Sequence, residues 1–111
     1  MRLCTAATRQ PTATGSEINA PMFDLMSLVH MGVGVGFALF GLGLAPTLAI
    51  AVLWEVAEHL LKNCTPQAFV FPTQDTLANA TGDVLVTLVG WAAGAPMAAR
   101  STARAANRSV K

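Results

Sequence analysis

Apolar and polar positions along this chain fall into blocks rather than alternating with the period of a water-exposed helix. Residues 23–44 are almost purely Phe, Leu, Met, Val, Gly and Ala, and between Asp24 and Glu55 the only ionisable side chain is His30. That run matches the ~20 residues needed to cross the hydrocarbon core of a bilayer. A tight connection through Gly41 to Ala45 follows, and Pro46 suits the first turn of a second helix over residues 46–61. A loop leads to Asp75, which the pattern makes the N-cap of a third apolar helix over residues 75–99. The fold class predicted is all-α, an integral membrane bundle of three transmembrane helices in one domain over residues 22–99. A tail over residues 1–21, without any apolar core, reads as disordered, and residues 100–111 form a basic cytoplasmic tail.

Small residues sharpen the picture. Glycines at 32, 34, 36, 41 and 43 would weaken a helix in water, but in lipid they let helices approach closely. At helical spacing Ser27, His30, Gly34, Ala38 and Gly41 form one stripe, and Thr47, Ala51, Glu55 and Glu58 form a second. Asn79, Asp83 and Thr87 form a third, with Gly90 and Gly94 as packing positions beyond them.

Composition points the same way. The chain is 53% hydrophobic and 12% charged, where soluble domains carry about 25% charged residues. A soluble bundle would need charged outer faces that these helices lack. A net charge of +1 and the absence of Tyr leave no basic, aromatic-lined groove, so nucleic acid is not an expected partner. The segment Gly32-x-Gly34-x-Gly36 lacks the strand and spacing of a nucleotide site and reads as packing. Cys4 and Cys64 form neither a metal knuckle nor a disulfide framework. In the three-span topology they fall on one side of the membrane, and their pairing is left open.

The candidate chemistry lies at the helix mouths. Asp24 and His30 open the first helix, Glu55, Glu58 and His59 close the second, and Asp75, Asn79 and Asp83 open the third. Three crossings bring all of them to one membrane depth. The C-terminal cations favour a cytoplasmic C-terminus and put this layer on the non-cytoplasmic side. Ionisable groups within a span cost a few kcal/mol each near the centre, so they usually face the bundle interior and carry function. Asp24, His30, Glu55, Glu58, Asp75, Asn79 and Asp83 are therefore the polar-cluster candidates. His30, Glu55 and Asp83 are the candidate ligands for a divalent metal such as Mg²⁺, Mn²⁺ or Zn²⁺.

Plainer roles compete for some of them: an i,i+4 pair for Glu58 and Lys62, a cap for Asp75, an interfacial position for His59. Arg100, Arg104, Arg108 and Lys111 line one helical side, suited to an anionic membrane surface or to a frayed tail that fixes topology. Three functions stay open: binding a metal ion or polar lipid headgroup, serving as an accessory subunit of a larger membrane complex, or forming an oligomeric proton or ion pathway. The partners expected are the lipid bilayer and either a second copy of the chain or that complex. No nucleophile motif names a reaction.

The order Asp24…His30, Glu55-x-x-Glu58, then Asp75-x-x-x-Asn79-x-x-Gly82-Asp83 resembles the VanZ-like membrane proteins. The likeness covers Asp24 to about Gly94 and implies a polytopic membrane architecture. Departures from the family pattern are the leading transmembrane helix, which residues 1–21 do not supply, and two basic positions. Leu25 stands where the family has a basic residue after its Asp, and Thr73 and Gln74 stand where it has an Arg before its last Asp.

Overall fold

The structure, a computed structural model, describes residues 19–71 and 73–110. Cys4 and Lys111 lie outside the described residues, as does residues 1–18 of the predicted tail. Among the described residues there are three α-helices and no strands: α1, Leu25–Leu39; α2, Leu44–Cys64; and α3, Leu77–Ser109. A single 3₁₀ turn, Pro66–Ala68, follows α2.

The helix bounds differ from the sequence expectation for local reasons. α1 has 15 residues and is about 22 Å long at 1.5 Å per residue, shorter than the apolar run at 23–44. Asp24 fixes its start: its carboxylate accepts from the Met26 and Ser27 amides at 2.8 and 3.2 Å, while Ser27 Oγ accepts from the Asp24 amide at 3.0 Å. This is a reciprocal capping box. Its end is set by Gly41, whose φ of +84° a residue with a Cβ rarely adopts. α2 begins earlier than expected, at Leu44, and runs 21 residues.

Asp75 is not the cap of α3. Thr76 is, its hydroxyl accepting from the Asn79 amide at 3.1 Å. α3 then continues for 33 residues through the basic segment, so Arg100, Arg104 and Arg108 are exposed on its last turns rather than on a separate tail. The end of the predicted disordered tail is also fixed. Asn19 is buried, and its amide side chain donates to the Thr73 carbonyl at 3.0 Å and to the Phe71 carbonyl at 3.4 Å.

α1 and α3 run parallel and form the tight pair of the bundle. Glycine makes the seam: a Cβ on Gly82 would strike the Met22 carbonyl, one on Gly90 the Met31 carbonyl, and one on Gly34 the Thr87 carbonyl. At Gly94 the same atom would lie 2.9 Å from the Val35 carbonyl oxygen. α2 returns antiparallel and rests chiefly on α3, with its start held by Trp91, whose indole N–H donates to the Leu42 carbonyl at 2.7 Å.

The interior is made of small and polar side chains: Ala38, Ala51, Thr47, Asn79, Asp83 and Thr87. Large apolar side chains point outward, Leu25 at 63%, Leu28 at 65% and Leu53 at 66% exposure. A soluble bundle has the opposite polarity. α2 and α3 are long and apolar enough to cross a membrane, and only 11% and 28% of their most apolar windows are buried within the chain.

Candidate functional site

Three helix ends meet in one polar layer: the start of α1, the last turns of α2 and the start of α3. Its inner part is a chain of donors and acceptors that begins at the α1 cap. The Ser27 hydroxyl, which accepts from the Asp24 amide, donates to Asp83 Oδ1 at 3.0 Å. The other Asp83 oxygen lies 3.6 Å from His30 Nε2, and His30 Nδ1 lies 3.9 Å from Glu55 Oε1. Both distances exceed hydrogen-bond length. The imidazole therefore stands between two carboxylates from different helices without closing on either.

These side chains are nearly enclosed, at 15% exposure for His30, 12% for Glu55 and 5% for Asp83. Each offers one ligand atom, and the three atoms lie within 4.8 Å of one another. Metal–ligand bonds of about 2.1 Å would set such atoms about 3–4 Å apart, a separation that small side-chain adjustments would reach from here.

The outer part of the layer is built around Lys62. Its side chain is 1% exposed, and Nζ lies 2.7 Å from Glu58 Oε1 and 2.8 Å from Asp75 Oδ2. The Phe69 ring is 5.7 Å from the same nitrogen. Glu55, Glu58 and Asp75 also bring one oxygen each to within 4.8 Å, and the Lys62 ammonium is the cation tethered against two of them. Glu55 belongs to both groups and joins the inner part to the outer.

Asp24 and Asn79 have a different role. Asp24 Oδ1 caps α1, and Oδ2 accepts from the Asn19 amide at 2.7 Å and from Asn79 Nδ2 at 3.2 Å. Asn79 Nδ2 donates also to the Pro21 carbonyl at 2.8 Å. Together with Thr76, whose hydroxyl donates to the Ala20 carbonyl at 2.8 Å, they clamp the segment before α1 onto the start of α3. Asn79 Oδ1 is buried with no hydrogen-bond partner among the described residues.

No protein-family model, curated protein or solved structure matches this chain. The site is therefore read from its own geometry.

Of the residues singled out from sequence, the structure brings His30, Glu55 and Asp83 into one group, and Glu58 and Asp75 into the neighbouring one. It sets Asp24 and Asn79 in the clamp. His59 is exposed, and only its backbone carbonyl takes part, accepting from Gln74 Nε2 at 3.1 Å. The i,i+4 spacing gives the Lys62–Glu58 pair, but the burial of Lys62 and its bond to Asp75 carry no local signal. The stripe turns Ser27 inward and its spacing assigns it no partner, and Asn19 lies in the segment whose composition reads as disordered. Serine at the third position after a capping Asp is the one cue that was available for Ser27.

Proposed function

We propose that this chain is a small VanZ-like polytopic membrane protein whose polar layer binds a divalent cation between His30, Glu55 and Asp83. The observation that carries the reading is the convergence of an imidazole and two carboxylates, one from each helix, within 4.8 Å. The charge balance supports it: Glu58 and Asp75 are paired with the buried ammonium of Lys62, whereas Glu55 and Asp83, both nearly enclosed, have only the His30 imidazole beside them among the described residues. Buried carboxylates in such excess call for a compensating cation or for protons. One imidazole nitrogen among carboxylate oxygens suits Zn²⁺ or Mn²⁺ better than Ca²⁺, which takes oxygen ligands.

In this reading α1 crosses with α2 and α3, the apolar residues on either side of its 15-residue core completing the span. The C-terminus is cytoplasmic, fixed by Arg100, Arg104 and Arg108. The order of acidic, histidine and glycine positions gives the resemblance to the VanZ-like proteins, and no reaction is assigned. Metal analysis of the detergent-purified protein tests the site. Wild type should hold about one equivalent and Glu55→Ala and His30→Ala much less; identical content in all three would remove the proposal.

A second reading has one observation in its favour, the Ser27 to Asp83 hydrogen bond of 3.0 Å between α1 and α3. In it the layer only fastens the helices of an accessory subunit. That reading expects His30→Ala to assemble and function as wild type does.

A further inference from the structure

We infer that the groove between α1 and α2 is a lateral site for one acyl chain of a phospholipid whose headgroup carries a primary ammonium. The inference rests on the membrane reading above and is independent of whether a metal is bound. α1 and α3 are held together by glycine, and α2 leans on α3, so the α1–α2 side is left open. The opening is a groove of about 400 Å³. Met26, Val29, Val33 and Phe37 line it from α1, and Ile50 and Trp54 line it from α2.

Its length and polarity select the occupant. From Met26 to Phe37 the groove runs about 16 Å along α1 at 1.5 Å per residue. That is roughly half of a ~30 Å hydrocarbon core, the depth of one leaflet. One end is wholly apolar, at Phe37 and Ile50; the other reaches the polar layer at Glu58 and His30, beside Phe69. An aliphatic chain with a polar head at one end fits this gradient, whereas a partner helix would carry its apolar face through both leaflets.

Charge selects the headgroup. The polar end presents Glu58 and belongs to a layer in which Glu55, Glu58, Asp75 and Asp83 outnumber the Lys62 ammonium, an excess that a bound divalent cation would reduce without abolishing. The Lys62 ammonium occupies Glu58 Oε1 at 2.7 Å, which leaves Oε2 as an acceptor. An ethanolamine-type ammonium would be attracted there, and an anionic glycerol headgroup repelled. A hydrogen bond between charged groups is strong enough to give roughly tenfold discrimination between headgroups that make it and those that do not.

Trp54 supplies the reporter. In a Trp91→Phe background it is the remaining tryptophan, and acyl-brominated lipids in contact with it quench its fluorescence. The protein is reconstituted in vesicles of phosphatidylcholine doped with brominated phosphatidylethanolamine, phosphatidylcholine or phosphatidylglycerol, each with and without chelator. The expected result is association of the ethanolamine lipid roughly tenfold tighter than of the other two, unchanged by chelator. Val33→Phe, which fills the groove, should abolish the preference, and Glu58→Gln should reduce it. Equal quenching by all three lipids, or a preference that survives Val33→Phe in a variant of unchanged helicity, overturns the site. Preference for the glycerol lipid overturns the headgroup assignment. A chelator-insensitive preference stands even if metal analysis fails.

Discussion

Lys62→Met removes an ammonium and keeps most of the volume of its stem. In the wild type Nζ bridges Glu58 and Asp75 at 2.7 and 2.8 Å, with its own side chain 1% exposed and the carboxylates at 16% and 11%. Two hydrogen bonds between charged groups, at about 1.5–3 kcal/mol each, set the ceiling of the loss. The ammonium was itself costly to bury, which lowers the net figure. Against that, the substitution strands two carboxylates beside Glu55, and removing one partner of a buried pair typically costs about 3–5 kcal/mol. Partial exposure lets the carboxylates rehydrate or take up protons, so the low end, about 3 kcal/mol, is expected.

Reversible unfolding in mixed detergent micelles, followed by helical circular dichroism, reads the change. Lys62→Met should be about 3 kcal/mol less stable than wild type. Adding Glu58→Gln and Asp75→Asn should restore most of the loss, because replacing a whole buried ionic group is often neutral or stabilising. Lys62→Met should also gain stability from added divalent cation, since Glu55, Glu58 and Asp75 lie within 4.8 Å without their tethered ammonium. A cation at 100 times its dissociation constant would contribute about 2.7 kcal/mol. Wild-type stability in Lys62→Met, or no recovery in the triple variant, would refute the account.

Glycine positions should divide sharply in the same unfolding assay. Gly90→Leu places side-chain atoms against the Met31 carbonyl and should cost more than the ~1–3 kcal/mol usual for overpacking, because backbone cannot yield as a side chain does. Gly32→Ala and Gly36→Ala meet nothing within 4 Å and should raise stability, by up to about 1 kcal/mol each from helix propensity. Asp24→Ala should lose about 1–2 kcal/mol with its cap. Asp24→Asn, which keeps an acceptor for the Met26 and Ser27 amides, should lose less.

Much of the bundle was legible because helical periodicity is local. Ser27, Gly34 and Ala38 share a stripe by spacing alone, and all three are buried; so are Asn79, Asp83 and Thr87. The inward faces could therefore be read before any packing was known. The bounds of α1 could not, because Phe, Leu and Gly at 23–44 are as apolar in a turn as in a helix. What ends α1 is the backbone angle at Gly41. The continuation of α3 was readable in principle. Ala98, Ala99, Ala103, Ala105 and Ala106 are strong helix formers, and their propensity outweighs the small like-charge repulsion of the Arg stripe at i,i+4. Lys62 was the opposite case. Its second partner, Asp75, lies 13 residues away across a loop, and no pattern within one helix reports such a bond.

The polar layer divides between the α1–α3 pair and α2. His30 and Asp83 are carried by α1 and α3, which glycine contacts at Gly34, Gly82 and Gly90 lock into one frame. Glu55 is carried by α2, which has a groove of about 400 Å³ on each side, one toward α1 and one toward α3. The 3.9 Å gap between Glu55 and His30 is thus the gap between the frame and α2, whereas the 3.6 Å gap between His30 and Asp83 lies within the frame.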